Sequence, residues 1–356
     1  MTDVIRVAPD TPDPAALARA AECLRRGGLV AFPTETVYGL GVNALDREAV
    51  LRLFAAKQRP ANDPLIVHVA AIESIAALAA RLPGSVETLG KRFWPGPLTL
   101  IVPKSKQVPD EVTAGLPSVA VRVPKHPVAR ALIAAAGIPV AAPSANLFSR
   151  PSPTQASHVI DDLGGRIDLV VDGGATTIGV ESTVLDLTSD PPRILRPGAV
   201  TVDMLREVLG QVDVSFDAKA VDGGSAAPMP SPGMLSKHYS PRAALTLFEG
   251  NVPSALASLI EIAREELSKG RSVGIVAAEE DRGELAGLVS DPRLLVRVIG
   301  SLDAPALVAS RLYATLRELD ATQVDVILVH GFRDDGLGAA VQDRLRRAAA
   351  GRIVRA

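Results

Sequence analysis

Charged and hydroxyl-bearing side chains recur directly after short apolar runs in the first 200 residues. The segment Pro33 to Gly41 follows the run LVAF and brings two hydroxyls, a carboxylate and a phenol within five residues, and its two glycines permit a tight turn. Lys57-Gln58-Arg59-Pro60 places two cations two residues apart beside a proline, a spacing able to clamp phosphate oxygens. Each segment also has a purely structural interpretation, as a capped turn and as basic residues at a helix C-terminus.

Arg122 and the segment that follows residue 140 extend this pattern. Arg122 interrupts the apolar run VAVRV, and a guanidinium inside a buried strand needs either a structural carboxylate or a bound anion. Ala142, Ser144 and Asn146 follow the run IPVAA, where small residues let a ligand approach the backbone. Four cations occur in these loops: Lys57, Arg59, Arg122 and Arg196. Such a set suits a polyphosphate.

Several common catalytic signatures are missing from the sequence. It contains no G-x-x-x-x-G-K-[ST] phosphate loop, no G-x-S-x-G nucleophile elbow and no H-x-x-x-H or H-E-x-x-H zinc spacing. Cys23 is the only cysteine, which excludes an intrachain disulfide and a four-cysteine zinc site. His68 lies inside the run LIVHV, where a lone histidine is more typical of a core or edge position than of catalysis.

Net charge and hydropathy argue against two further classes of protein, nucleic-acid binders and membrane proteins. The net charge is -2, and residues 1–209 carry 21 basic and 21 acidic side chains, which disfavours a dedicated nucleic-acid binder but leaves room for a weak local RNA contact. The N-terminus lacks a basic stretch followed by an apolar run, and no apolar run reaches the roughly 18 residues that span a membrane. We therefore expect a cytoplasmic protein with no membrane contact.

The elements that must position these residues belong to an α/β fold. A chain of 356 residues favours two domains. In the first 209 residues we predict strands at Leu29–Phe32, Leu65–Val69, Leu98–Val102, Val119–Val123, Ile138–Ala142, Asp168–Val171 and Thr183–Leu187. We predict a first helix capped by Asp13 or Thr11 and further helices at about 46–56, 71–81, 126–136, 154–163 and 202–209. This irregular spacing predicts a mixed sheet with helices.

The remaining chain divides into a linker and a second domain. Prolines and glycines crowd residues 213–241, which favours a linker or a functional lid. From residue 242 onward, strands at Leu245–Phe248, Val273–Ala277, Leu294–Val298 and Val324–His330 alternate with helices near 253–268, 282–289, 304–319 and 338–349. Regular alternation predicts a smaller parallel, doubly wound sheet, here without a glycine-rich dinucleotide fingerprint. The predicted domains are 1–209 and 242–356, joined by a linker at 210–241.

The ordered motifs resemble the YrdC-like threonylcarbamoyl-AMP synthases of the longer, two-domain type. They are PTETVYGLG at 33–41, KQRP at 57–60, PLIVHV at 64–69, WPGPLTLI at 94–101, VRVP at 121–124, PSAN at 143–146, ESTVLDL at 181–187 and LRPG at 195–198, with PGM at 232–234 and HYSP at 238–241 in the linker. Each motif alone is weak, but their shared order is specific. The resemblance covers nearly all of residues 20–200, whereas the C-terminal domain resembles the family by position and pattern.

The resemblance implies a YrdC-like mixed twisted sheet, a Rossmann-like C-terminal domain and a nucleotidyltransferase reaction. L-threonine, bicarbonate and ATP would give threonylcarbamoyl-AMP and pyrophosphate, with Mg²⁺ held mainly by the ATP phosphates rather than by a protein metal site. The product would pass to proteins that transfer the threonylcarbamoyl group to tRNA. Such a reaction needs positioning and charge neutralisation rather than a protein nucleophile.

The resemblance also implies roles for individual residues. Those that would hold threonine are Thr36, His68, Arg122, Ala142 and Ser182. Those that would contact ATP are Lys57, Arg59, Asp63, Ser118, Ser144, Asn146, Ser152, Arg196 and Tyr239. Lys57 and Arg59 would act in catalysis, and Tyr239 would close over the nucleotide as part of a lid. Asp63 departs from the asparagine expected there, and an acid beside phosphates is unfavourable unless it faces a metal ion or the ribose.

Three other interpretations remain open at this stage. The same fold occurs in carbamoyl-transferring enzymes, although those also carry a cysteine-rich zinc-finger region that this chain lacks. A non-enzymatic RNA-binding or ribosome-maturation module would predict a basic groove. A nucleotide-binding regulator would depend on the C-terminal domain alone.

Overall fold

The computed structural model describes residues 1–215, 228–233, 235 and 237–356, and these divide into two compact units. The first unit holds residues 1–148, 152–215 and 228–233. The second holds residues 149–151, 235 and 237–356. The linker predicted at 210–241 and its PGM motif at 232–234 therefore lie partly outside the described residues.

The strands of the first unit join in one large mixed sheet. They are β1 (Asp3–Arg6), β2 (Val30–Pro33), β3 (Tyr38–Asn43), β4 (Ile66–His68), β5 (Leu98–Pro103), β6 (Ser118–Arg122), β7 (Val140–Ala141), β8 (Leu169–Asp172), β9 (Thr183–Asp186), β10 (Arg193–Arg196) and β11 (Asp213–Val214). Their order is β1-β8-β2-β3-β7-β4-β6-β5-β9-β10-β11. Parallel pairs such as β4 with β6 alternate with antiparallel pairs such as β5 with β6, so the predicted mixed sheet is confirmed.

Helices cover both faces of this sheet. They are α1 (Pro14–Arg25), α2 (Arg47–Lys57), α3 (Ser85–Phe93), α4 (Asp110–Thr113), α5 (Pro127–Ala136), α6 (Ala156–Leu163) and α7 (Val202–Leu209). On β2, Val30 and Phe32 pack with α1 and α5, whereas Ala31 packs into the core on the opposite face. A strand buried on both faces reads as a continuous apolar run, which is why β2 could be predicted.

One predicted helix of the first unit is wrong. Residues 71–81 form only a 3₁₀ turn at Ile72–Ala77. Beyond it, Ala79 pairs with Lys104 in an isolated bridge, and the N–H of Ala80 donates to the carbonyl of Pro103 at 2.9 Å. Pairing beside β5 therefore uses the backbone groups that a longer helix would need.

The second unit contains a smaller sheet whose strands are all parallel. Its strands are β12 (Ala244–Glu249), β13 (Val273–Ala277), β14 (Leu294–Val298), β15 (Val326–His330) and β16 (Ile353–Arg355), in the order β14-β13-β15-β12-β16. Its helices are α8 (Val252–Ser268), α9 (Arg282–Leu285), α10 (Pro305–Ala321) and α11 (Gly336–Ala349). The predicted parallel α/β sheet is confirmed, with β16 as an unpredicted edge strand. None of the described helices is long and apolar enough to cross a membrane.

Candidate active site

The loop between β2 and β3 (residues 34–37) turns its polar side chains inward. Thr34, Glu35 and Thr36 are all buried. The Thr34 hydroxyl donates to the carbonyl of Val37 at 2.7 Å, so the 2.8 Å contact between the two threonine hydroxyls requires Thr36 to be the donor. The hydroxyl hydrogen of Thr36 is thus committed, and its oxygen acts toward other groups only as an acceptor.

Arg122, the last residue of β6, binds to this loop. Its Nη1 donates to Thr36 Oγ1 at 3.1 Å, and its Nη2 lies 2.8 Å from Glu35 Oε1. Its Nε donates to the carbonyl of Gly96 at 3.2 Å. Of the two partners that the sequence left open for Arg122, the structure supplies the carboxylate. A guanidinium has five N–H donors, so these contacts still leave donors for a bound anion.

The turn predicted from Gly39 and Gly41 is wrong, because both glycines lie within strand β3. A Cβ on Gly41 would lie 2.7 Å from the Phe32 ring and 2.8 Å from Val140, distances that no real side chain tolerates. A Cβ on Gly39 would approach Ala142 at 3.3 Å. These glycines therefore allow β3 to pack closely against its neighbours rather than reverse the chain.

His68, the last residue of β4, pairs in register with Arg122 on β6. Its side chain is buried, and Nδ1 has no hydrogen-bond partner among the described residues. Burial, followed by the charge of Arg122, lowers the pKa of His68 to about 3. The imidazole is therefore neutral at physiological pH and can donate one hydrogen bond and accept another.

Lys57 lies at the end of α2 and points into the interior. Gln58 takes the left-handed conformation (φ 54°) that ends the helix, and Lys57 is 1% exposed. Its Nζ donates to the carbonyl oxygens of Ser144 and Asn146 in the PSAN segment. The structure thus brings together three residues that the sequence assigned to ATP.

Arg59 and Asp63 form a buried ion pair with an N–O distance of 2.8 Å. Arg59 also donates to the carbonyl of Pro64 at 2.8 Å. Burial raises the pKa of Asp63, against the opposing charges of Arg59, Lys57 and Arg196. Asp63 is therefore a buried acid near three cations. The sequence had left open whether it faces a metal ion, the ribose or solvent, and the structure shows that it does not face solvent.

Ser182 and Arg196 lie together at the start of β9 and the end of β10. Arg196 donates through Nε to the carbonyl of Ser182 at 3.1 Å and through Nη2 to its hydroxyl at 3.2 Å. The Ser182 hydroxyl also lies 2.7 Å from that of Thr99 on β5. Both side chains are buried.

The segment Gly96-Pro97 connects two parts of the predicted threonine site. The carbonyl of Gly96 accepts from Arg122, and the next carbonyl, of Pro97, accepts from the N–H of Thr183 at 3.0 Å. Thr183 directly follows Ser182, which was predicted to hold threonine and which bonds to Arg196, predicted to contact ATP. Residues predicted to hold the two substrates therefore lie beside each other within one unit.

The described part of the linker lies over the same residues. The N–H of Met229 donates to the carbonyl of Asn62 at 2.9 Å, and Arg196 Nη1 donates to the carbonyl of Pro232 at 3.2 Å. Ser118 lines a small cavity next to Pro230 and Pro232. Residues 228–233 thus bond to the loop that carries Asp63 and to Arg196.

Three other predicted site residues have different surroundings. Ala142, 5% exposed, follows β7, and its N–H donates to the carbonyl of Ile66 at 2.9 Å. The Ser152 hydroxyl donates to the buried carboxylate of Glu181, so this serine is bonded to protein. Tyr239 belongs to the second unit, where its ring lies 5.5 Å from that of Tyr313. Its role in closing over a nucleotide stays a prediction.

Sequence reasoning assigned no role to Glu35, Thr99 or Glu181, although each bonds to a predicted site residue. Glu35 and Glu181 lie inside motifs that were recognised, at the position next to a predicted site residue. An acid directly beside a predicted site residue could therefore have indicated Glu35 and Glu181. No sequence signal indicated Thr99, because its hydroxyl lies inside an otherwise apolar strand.

Comparison with known proteins identifies the family. The family model described as "Telomere recombination" matches residues 22–198, and the model described as "Threonylcarbamoyl-AMP synthase, C-terminal domain" matches residues 200–350. A threonylcarbamoyl-AMP synthase from Bacillus subtilis is 46% identical over 346 residues, covering 97% of this chain and 96% of the relative. The chain belongs to the threonylcarbamoyl-AMP synthase family.

Other members of the threonylcarbamoyl-AMP synthase family show the same similarity. The synthase from Pyrococcus abyssi is 45% identical over 337 residues, covering 94% of each chain. A crystal structure of Pyrococcus abyssi Sua5 complexed with L-threonine matches with a TM-score of 0.91 and 43% identity, covering 100% of both chains. The similarity to this family extends along the whole chain, including the C-terminal sheet that the motifs alone barely identified.

Proposed function

We propose that the protein converts L-threonine, bicarbonate and ATP into threonylcarbamoyl-AMP and pyrophosphate. The observation that carries this proposal is the contact between two clusters in one unit. Arg122 with Thr36 forms one cluster and Arg196 with Ser182 forms the other, and Gly96-Pro97 joins them. End-to-end similarity to relatives named threonylcarbamoyl-AMP synthase supports the assignment.

The chemistry requires two bond-forming steps and no protein nucleophile. The threonine amino nitrogen first bonds to the bicarbonate carbon, with loss of water, and gives a carbamate. A carbamate oxygen then bonds to the α-phosphorus of ATP while the bond to pyrophosphate breaks. Arg122 would orient the threonine carboxylate, and neutral His68 would supply a hydrogen bond without adding charge.

The cations around Asp63 suit the second step. Lys57, Arg59 and Arg196 all act electrostatically on Asp63, so the three charges lie close enough to share one polyanionic ligand. We propose that Lys57 and Arg196 meet the phosphates directly. Asp63 then holds Arg59 in place rather than touching ATP.

Mg²⁺ belongs to this proposal as an ion held by ATP. Among the described residues, no group of three or more His, Cys, Asp or Glu side chains could hold a metal ion. Mg²⁺ commonly keeps its waters and binds substrate phosphates with few protein ligands, so the ATP phosphates would supply its main ligands here. When bound, the ion would neutralise negative charge on the phosphates.

The linker supplies a means of excluding water from this site. Carbamates and acyl phosphates hydrolyse readily, so a cover over the reacting groups would protect the product. The bonds of residues 228–233 to Asn62 and Arg196 support a lid formed by the proposed linker 210–241, between domains at 1–209 and 242–356. Proteins that transfer the threonylcarbamoyl group to tRNA would then receive the product.

Pyrophosphate release tests the function directly. The purified protein is incubated with ATP, Mg²⁺, bicarbonate and L-threonine, and each component is omitted in turn. We expect release to require all of them and to match threonylcarbamoyl-AMP formed, measured by mass spectrometry. Release that continues without both threonine and bicarbonate would refute the proposal.

A further inference from the structure

Glu35 is a buried acid at the centre of the cluster around Arg122. It is 5% exposed, and both of its carboxylate oxygens are engaged: Oε1 lies 2.8 Å from Arg122 Nη2, and Oε2 accepts the N–H of Lys125 at 3.0 Å. Its carbonyl accepts the N–H of Ile178 at 2.8 Å. Glu35 therefore links three loops, and among the described residues its ion-pair partner is Arg122.

The arrangement fixes the direction of the Arg122 guanidinium. Nε donates to the carbonyl of Gly96 and Nη1 donates to Thr36 Oγ1, whereas Nη2 forms an ion pair with Glu35 Oε1 at 2.8 Å that is not aligned as a hydrogen bond. Both terminal nitrogens therefore keep N–H donors for a ligand. A carboxylate bound by two parallel N–H groups requires a defined guanidinium plane, which this carboxylate helps to set.

The same contacts balance the charge of the site. Arg122 and Glu35 together are formally neutral, and the low pKa of His68 keeps that neighbour uncharged. The committed hydroxyl hydrogen of Thr36 leaves an acceptor beside the pair. A ligand carrying both a carboxylate and an ammonium would meet donors and acceptors and add no net charge, whereas a bare carboxylate would add an uncompensated buried charge.

We propose that Glu35 is a positioning residue that makes this site selective for a zwitterionic amino acid. It acts through Arg122, by holding the guanidinium plane and by cancelling its charge. This inference rests on the proposed function, since it concerns the site that would hold threonine. It predicts that removing the charge of Glu35 changes which ligands bind, in addition to how tightly they bind.

Calorimetric titration with two ligands tests the inference. The ligands are L-threonine and 3-hydroxybutyrate, which is threonine without its amino group. The wild-type protein is expected to bind threonine at least about 10-fold more tightly than 3-hydroxybutyrate. In Glu35→Gln, threonine binding should weaken roughly 10- to 100-fold while 3-hydroxybutyrate binding holds or strengthens, because Arg122 is then uncompensated.

A merely structural role for Glu35 gives a different result. If Glu35→Gln weakens both ligands by the same factor, the inference is overturned. Glu35→Asp keeps the charge and should keep the wild-type preference even where affinity falls. It provides the test if the glutamine variant fails to fold, and a preference lost in the aspartate variant would also overturn the inference.

A control and the wild-type protein separate this inference from the function itself. Glu266, a buried glutamate of the second unit paired with Lys269 and Arg271, offers the matched variant Glu266→Gln. That variant should leave the ligand preference unchanged. If wild-type protein neither binds threonine nor releases pyrophosphate with it, the proposed function fails. If wild type does both and Glu35→Gln keeps its preference, only the inference fails.

Discussion

Two buried cations of the first unit bond to backbone carbonyls, whereas two buried cations of the second unit pair with a carboxylate. In the first unit, Lys57 donates to the carbonyls of Ser144 and Asn146, and Arg196 donates to the carbonyls of Ser182 and Pro232. In these bonds the acceptor is a dipole without formal charge, so the bonds themselves do not neutralise the cation. The charges of Lys57 and Arg196 act instead on the buried carboxyl of Asp63.

In the second unit, buried Arg344 and Arg347 pair with a carboxylate, although Arg347 also donates to the carbonyl of Leu235 at 3.0 Å. Asp343 bonds to both Arg344, at 2.6 Å, and Arg347, at 2.9 Å. His330 lies 2.8 Å from Asp281. Such pairs cancel their own charge, so they attract a polyanion weakly, and removing one partner leaves the other buried and unpaired.

We propose that this difference separates cations that would bind a ligand from cations that only pack within the fold. Burial alone does not distinguish the two kinds of cation, since Lys57 and Arg344 are both 1% exposed. They differ in the acceptor to which the cation bonds, a carbonyl oxygen or a carboxylate. Arg122 is the informative intermediate, because it is paired with Glu35 and still lies among predicted substrate residues.

Replacing Arg122 by alanine should have the largest effect. It removes the proposed carboxylate donor and leaves Glu35 buried without its cation, which costs roughly 2–5 kcal/mol for a buried charge pair. We expect kcat/KM for threonine to fall by about 10²–10³-fold, with a smaller change in KM for ATP. Steady-state pyrophosphate release at varied threonine and varied ATP measures both.

Arg344→Ala is the matched variant in the second unit. It also breaks a buried ion pair, so thermal denaturation should show a loss of stability. Threonine use by the folded protein should stay near wild type. Equal loss of threonine use in the two variants would contradict the distinction between the units.

Lys57→Met tests a cation held by carbonyl oxygens. Methionine keeps most of the volume but removes the charge and the donors to Ser144 and Asn146. We expect kcat to fall about 100-fold, since removing one preorganised donor typically costs about 3 kcal/mol in the transition state. Rapid-quench measurement of pyrophosphate formation checks this. A variant with normal turnover would show that Lys57 serves only the PSAN segment.

His68 and His330 should respond to pH in opposite directions. Burial and Arg122 lower the pKa of His68 to about 3, so below pH 6.5 only the unfolded chain takes up that proton, and stability falls as pH decreases. Between pH 6.5 and 5 the free energy of unfolding should fall by about 2 kcal/mol on this account.

For His330, burial alone would lower the pKa, but the bond to Asp281 outweighs burial and raises the pKa. The stability that protonated His330 contributes is therefore fully present below pH 6.5 and is lost as the pH rises through the raised pKa of His330.

Denaturant unfolding at a series of pH values separates the two histidines. His68→Gln should flatten the acid side of the stability profile. His330→Gln should flatten the side above pH 6.5. Identical profiles for the two variants would be inconsistent with the opposite pKa shifts.

Regular patterns made part of this structure predictable from sequence. The bounds of β13 and β14 match their predicted strands residue for residue. The run of β13 is apolar throughout and buried, as is typical of a parallel sheet, whereas β14 contains Arg297 and is the half-buried edge strand. Strand β3 was missed because Gly39 and Gly41 read as a turn. Glycine is required at these two positions because Phe32 and Ala142 lie close to them, and no local sequence pattern encodes these contacts.

The candidate site shows the same division. A charge inside an apolar run correctly predicted that Arg122 is buried and in need of a partner. Its partner Glu35 lies 87 positions earlier in the chain, and only the pairing of distant strands brings the two together. The local sequence could therefore indicate candidate site residues. The pairing of their charges could not be predicted, because it depends on contacts between distant parts of the chain.

Asp63→Asn should give the smallest effect on substrate use, and it tests a carboxylate that lies among the site cations. Asp63 interacts with Lys57, Arg59 and Arg196, and it pairs with Arg59 at 2.8 Å. Its replacement should lower the free energy of unfolding, because Arg59 is then buried without its carboxylate partner. ATP should bind slightly more tightly, by roughly 2- to 5-fold, since a competing anion is gone. Calorimetric titration with a non-hydrolysable ATP analogue measures the change. Weaker binding in this variant would instead place Asp63 in direct contact with the nucleotide or its metal ion.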